Sequence, residues 1–310
     1  MKVGFVLPMA EDAARGAPPP WREIRGLAVD AEAAGFDSVW VFDHLLFRRG
    51  DTPETRETAG IWEAWTLMAA LAEATTRVEL GAVVLATPFR NPAVLAKMAA
   101  TLDEVSDGRL ILGLGAGWHE PEFAAFGIPF DHLASRFEEA LAIIAPLLRE
   151  GRVDFRGTFY AAPDCELRPR GPRPAGPPIM VGASKPRMLR LTAAHADSWN
   201  TAWLGTPAKL AERRAGLEAA CAEVGRDPAS LEVTVGVTVG YPDLWPEERR
   251  ADEIDPERVL VGSPAEIAAG LRSYAEAGVG HAICMADPPS ATSLGRLADA
   301  LALYRGQDAG

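Results

Sequence analysis

The chain has 310 residues, 48% hydrophobic and 24% charged, a composition that suits a globular protein with one large core or two smaller ones. Its 43 acidic against 31 basic side chains give a net charge of −12, which repels a nucleic-acid backbone or an anionic membrane surface and argues against both as partners. Cys165, Cys221 and Cys284 lie far apart without CxxC spacing, the start MKVGFVLPMAED is too acidic for a signal peptide, and no apolar run reaches membrane-spanning length, so a cytoplasmic protein is expected.

Short β-rich runs alternate with helical patterns almost from end to end. KVGFVLP (2–8), DSVWVF (37–42), VELGAVVL (78–85), RLILGLG (109–115), PIMVGA (178–183), DSWNTAW (197–203), LEVTVGVTVG (231–240) and HAICMA (281–286) are mostly apolar throughout, as buried parallel strands are. Eight strand–helix units in this length, with no flexible linker, predict an α/β fold: a (β/α)8 TIM barrel forming a single domain over residues 1–310. In such a barrel the C-terminal strand ends carry the active site, which directs attention to Asp43 and His44 after the second strand. An imidazole there can orient or protonate a substrate near neutral pH, although a packing role for His44 is as consistent with the sequence.

The segment RLILGLGAGWHEPEF (109–123) runs from an apolar strand into a glycine-rich turn and a polar helix start. Gly113, Gly115 and Gly117 permit close backbone approach, and Trp118, His119 and Glu120 offer stacking, proton and charge chemistry. A dinucleotide fingerprint is rejected, because GxGxxG requires glycine where Trp118 stands. Next, Leu133, Phe137, Leu141, Ile144 and Leu148 share one face of a helix that Pro146 is expected to bend. Residues 151–177 read as an insertion after helix four, a small hairpin with a proline-rich excursion.

From Leu167 to Arg190 the chain carries Arg168, Arg170, Arg173, Lys185, Arg187 and Arg190 and no acid, which reads either as a solvated basic edge or as an anchor for an anionic ligand. Within it, VGASKPRM (181–188) offers Gly182 for backbone approach, Ser184 as a candidate N-cap and Pro186 in the first helical turn; free amides there, with Lys185, suit a phosphate. A simple turn has the same needs. The stretch 241–261, rich in Pro, Asp and Glu, repels anions. The five histidines form no HxH or HExxH pair and no cysteine joins them at ligand spacing, so no metal is expected; the absence of a GxSxG elbow argues against serine nucleophiles. Redox chemistry on a bound organic cofactor remains.

The runs FDSVWVFDHL, residues 77–130 and PPIMVGASKPRMLRLTAAHADSWN (177–200) together resemble the bacterial luciferase-like oxidoreductases, specifically the branch that uses the deazaflavin coenzyme F420. The resemblance spans nearly the whole chain and implies a barrel with an insertion after helix four, a homodimer, and a coenzyme at the C-terminal mouth. It assigns Asp43 and His44 to the coenzyme ring and substrate, and a bulged third strand with a non-proline cis peptide to Ala82, Val83 and Val84. Gly115, Ala116, Gly117 and Trp118 would flank the ring and side chain, and Gly182, Ala183 and Ser184 the phosphate. Lys185 and Arg187 are the expected anion contacts, and His44 the general acid or base. Related sugar-phosphate dehydrogenases carry a catalytic glutamate where Trp118 stands, which points here to a flatter, more apolar substrate. The expected function is hydride transfer between coenzyme F420 and a small organic molecule, the alternative being an FMN-dependent monooxygenase. A flavin-binding protein without turnover and a metal-dependent barrel hydrolase rank below both.

Overall fold

Each apolar run becomes one strand of a closed barrel: Lys2–Val6, Ser38–Val41, Glu79–Ala82, Leu110–Gly115, Ile179–Gly182, Ser198–Leu204, Glu232–Gly240 and His281–Asp287. All eight pair in parallel with their neighbours, the eighth with the first and the fourth with the fifth, so no edge remains between them. The computed structural model describes residues 1–11, 15–50, 52, 55–245 and 255–306; of the acidic stretch 241–261, residues 246–254 lie outside the described residues. Helices Trp21–Ala33, Ala64–Ala74, Pro92–Val105, Leu133–Glu150, Pro186–His195, Leu210–Val224, Pro264–Glu276 and Ala291–Tyr304 follow the strands in turn. None of the helices in the described residues is long and apolar enough to cross a membrane.

The barrel interior is filled by Val6, Trp40, Val83, Ile111, Met180 and Ile283. Trp40 fits because its neighbours on the first and third strands lack side chains: a Cβ on Gly4 would lie 2.5 Å from the indole Nε1, and one on Gly81 2.4 Å from the ring. This layer closes the barrel below the mouth and gives the site an apolar floor.

Strand three ends at Ala82 and pairing with strand four resumes at Leu85–Ala86. The peptide between Val83 and Val84 is cis, where the resemblance implied one, and the Ala202–Trp203 peptide on strand six is cis as well. The glycines of strand four are shaped by this irregular stretch. A Cβ on Gly113 would lie 2.0 Å from the Ala82 carbonyl oxygen, and one on Gly115 2.5 Å from Val84 Cγ2, so two of the glycines assigned to ligand approach make room for strand three.

Helix Leu133–Glu150 buries Phe137, Leu141, Ile144 and Leu148 as its periodicity requires, and runs through Pro146 without ending. Gly151 stops it at a left-handed φ of +83°. The insertion is an antiparallel hairpin, Arg152–Arg156 with Ala161–Glu166, that folds back along the same helix. Its tip is held by Glu139, whose carboxylate accepts from the amides of Thr158, Phe159 and Tyr160.

Candidate active site

A cavity of about 680 Å³ opens at the C-terminal ends of strands two to six. Its walls come from Asp43 and His44, from Val83, Val84 and Ala86, from Gly115 to Trp118, from Gly182 to Lys185, and from Asn200 to Trp203. Glu122, Met188 and Arg213 reach it from the helices. Of the residues that the resemblance assigned to the coenzyme and substrate, all but two line it. Ala82 is packed in the core beneath the cavity, and Arg187 is half exposed and paired with Glu138.

Asp43 is fully desolvated and its charge is already engaged. Arg90 donates to both carboxylate oxygens, at 2.7 and 3.0 Å, and the Ala86 amide donates to Oδ2 at 2.8 Å. Burial pushes the Asp43 carboxyl up from its ordinary range while Arg90 pulls it down. Arg90 also donates to Glu63, the N-cap of the second helix, and Asn91 caps the helix that begins at Pro92, so the Arg90-Asn91-Pro92 run ties strand two to two helix starts. Asp43 thus braces the mouth from behind.

His44 is placed differently. Its Nδ1 lies 2.9 Å from Glu122 Oε1, and the neighbouring Leu45 amide donates to Glu122 Oε2 at 2.7 Å. Glu122 stands in the first turn of the short helix Glu120–Phe126 and is 1% exposed, whereas Glu120, the residue named in the sequence, is exposed. Next to this pair, the Arg48 amide donates to His119 Nε2 at 3.0 Å. Because an amide can only donate, that ring nitrogen is unprotonated, and burial lowers the His119 pKa further, with His44 acting in the same direction and Glu122 against it. The rings of His44, Phe47, Trp118 and His119 pack against one another around this corner, His44 edge-on to Trp118 and His119 and the other pairs tilted, while Trp118 remains 67% exposed at the mouth.

Across the cavity, the turn after strand five is pinned by strand six. Trp199 Nε1 donates to the Ala183 carbonyl and the Ala183 amide donates to the Asn200 carbonyl. Helix Pro186–His195 starts here with Pro186 at its first position, Lys185 as N-cap and no acid in the first turn. Ser184 is one residue too early to cap it, so the expected cap is absent and the first amides stay free for an anion. Arg213 adds a second cation, held by Thr201 Oγ1 at 2.6 Å and the Ala202 carbonyl at 3.1 Å.

The basic stretch 168–190 does not act as a unit. Arg170 caps carbonyls at the end of helix Leu133–Glu150, Arg173 is bound to Asp103 and to the Leu110 carbonyl at the start of strand four, and Arg168 pairs with Glu166. Arg190 faces Glu223. The acids missing from the stretch itself arrive from elsewhere in the fold, and of its six cations Lys185 alone lines the cavity. Residues 151–177 likewise contribute nothing to the wall, because the hairpin packs outside helix four. Sequence reasoning missed Glu122, Arg213 and the Asn200–Trp203 wall. The last was accessible, since the rule that selected His44 applies equally to the end of strand six.

The family model for luciferase-like monooxygenases matches residues 1–243. The chain belongs to this family. Among curated luciferase-like relatives, a pyrimidine monooxygenase RutA from Methylorubrum extorquens is 33% identical over 95% of this chain and 80% of its own length. A phthiodiolone/phenolphthiodiolone dimycocerosates ketoreductase from Mycobacterium tuberculosis is 35% identical over 69% of this chain and 59% of its own. Among solved structures, a coenzyme F420-dependent secondary alcohol dehydrogenase superposes with a TM-score of 0.79 at 20% identity, covering 98% of this chain and 99% of that one. A riboflavin lyase with modified FMN gives 0.75 at 16% identity, covering 100% and 93%. The protein is accordingly an oxidoreductase of the luciferase-like superfamily, whose members use coenzyme F420 or FMN.

Proposed function

We propose that this luciferase-like protein transfers a hydride between coenzyme F420 and a small organic substrate, with His44 as the group that handles the accompanying proton. The observation that carries the proposal is the hydrogen-bonded His44–Glu122 pair on the wall of a cavity that also holds an uncapped helix N-terminus. The residues present fit a deazaflavin. Val83, Val84 and Ala86 with the Gly115–Gly117 backbone make a flat, largely apolar surface for a ring, and Gly182, Ala183, Ser184 and Lys185 with the free amides of the next helix suit a phosphate. When bound, the deazaflavin supplies a two-electron hydride acceptor or donor and, having carbon at its reactive position, supports dioxygen chemistry poorly. His44 then accepts or returns the substrate's proton, Asp43 with Arg90 keeps strand two in place, and the aromatic corner of Phe47, Trp118 and His119 limits water on the substrate side.

FMN-dependent monooxygenation is the second reading, favoured by the 33% identity to a pyrimidine monooxygenase over nearly the whole chain. Titrating the protein with both coenzymes, following tryptophan fluorescence from Trp118 and Trp203, separates the two. Tighter binding of coenzyme F420, together with its anaerobic reduction by a panel of alcohols, supports hydride transfer. Tighter binding of FMN with oxygen uptake once it is reduced overturns it.

A further inference from the structure

The contacts of Glu122 do more than hold a loop. Its Oε2 is taken by the Leu45 amide, which can only donate. As a carboxylate its Oε1 can only accept, so the hydrogen shared with His44 sits on Nδ1. The other ring nitrogen, Nε2, has no hydrogen-bond partner among the described residues, and His44 lines the cavity. The Glu122 carboxylate is buried and makes no other hydrogen bond among the described residues, so nothing competes with His44 for Oε1. Among the described residues, the titratable groups in contact with the ring are Glu122, bonded to it, and His119, whose Nε2 is engaged by the Arg48 amide.

We infer that Glu122 is a positioning residue that fixes neutral His44 as the Nδ1–H tautomer, which makes His44 a base toward the cavity through the Nε2 lone pair. This rests on the reading of His44 given above and deepens it: the resting enzyme is set to take a proton from a substrate hydroxyl, the Nε2–H bond forming as the O–H bond breaks. The Glu122 carboxylate then faces the imidazolium at 2.9 Å and stabilises it. The uptake direction favours alcohols over carbonyl compounds as first substrates to test.

The geometry makes a sharp demand on Glu122→Gln. The Leu45 amide requires the glutamine's single oxygen, so the side-chain NH2 must turn to His44 Nδ1, which then accepts. The tautomer inverts to Nε2–H, with little change in shape. The experiment is a long-range 1H–15N correlation spectrum of the coenzyme-free, 15N-histidine-labelled protein well above the ordinary titration range of histidine, with His44→Gln identifying the signal. In the parent, His44 should show a protonated Nδ1 and an unprotonated Nε2; in Glu122→Gln the two should exchange, and Glu122→Asp should keep the parental form. A parental Nε2–H tautomer, or one unchanged by Glu122→Gln, overturns the inference, and the parental spectrum alone decides if the variant does not fold. Once a substrate is known, Glu122→Gln should lower alcohol oxidation by about 10²–10⁴-fold, the range typical of losing a positioned base, with KM little changed. Because the spectrum is taken without coenzyme, its outcome is independent of whether coenzyme F420 or FMN is bound.

Discussion

Replacing His44 by alanine removes the imidazole from the cavity wall but none of the backbone that shapes it. Loss of a positioned acid or base typically costs about 10²–10⁴ in rate, so His44→Ala should lose turnover on that scale while coenzyme affinity changes little. Turnover close to the parent would reduce His44 to a packing residue. Lys185 makes the complementary prediction. Its ammonium is exposed at the rim beside free helix amides, so it adds a screened attraction rather than a buried one. Lys185→Ala should weaken the coenzyme about five-fold at low salt and less at high salt. Arg187→Ala, which breaks only a surface pair with Glu138, should leave the affinity unchanged. An equal loss in both variants, read by isothermal titration at two ionic strengths, would restore Arg187 to the site.

At the level of the elements, the third and fourth strands are held in a contact that tolerates no side chain. Gly113 faces the Ala82 carbonyl, a backbone atom with no rotamer to yield, whereas Gly115 faces the Val84 side chain, which can turn. Overpacking of this kind costs about 1–3 kcal/mol. Gly113→Ala should therefore lower the urea midpoint more than Gly115→Ala, while Gly115→Ala, by moving Val84 on the cavity wall, should weaken the coenzyme more. Identical effects would mean that the two glycines share one role. This division also shows what the sequence could and could not convey. Strand positions were legible because burial on both faces leaves continuous apolar runs, and His44 was legible because it stands at a strand end. Glu122 was not, because its partner lies 78 positions away and its helix is only seven residues long. The arginines misled for a related reason: a segment's local charge says nothing of acids such as Asp103 and Glu138 that the fold brings to it.

At the scale of the whole barrel, His281 is a titratable group buried deep in the N-terminal half. Trp40 Nε1 donates to Ser38 Oγ at 2.7 Å, and the same hydroxyl is hydrogen-bonded to His281 Nε2, also at 2.7 Å. His281 is 1% exposed, and burial, with Lys2 nearby, pushes its pKa down to about 3. The unfolded chain, with an ordinary imidazole near 6.5, thus binds a proton below that pH that the folded chain refuses. The contribution to stability is complete above about pH 6.5 and is lost as pH falls toward about 3, at roughly 1.4 kcal/mol per pH unit. His119 and His195, whose pKa values burial also lowers, act in the same direction, so the parent's acid sensitivity alone does not isolate His281. His281→Gln does, since its amide can donate to or accept from Ser38 without titrating. Between pH 7 and pH 5 the variant should lose about 2 kcal/mol less stability than the parent, whatever its stability at pH 7, as measured by urea unfolding at both values. Parallel losses in the two proteins would show that His281 takes up its proton in the folded barrel as readily as in the unfolded chain.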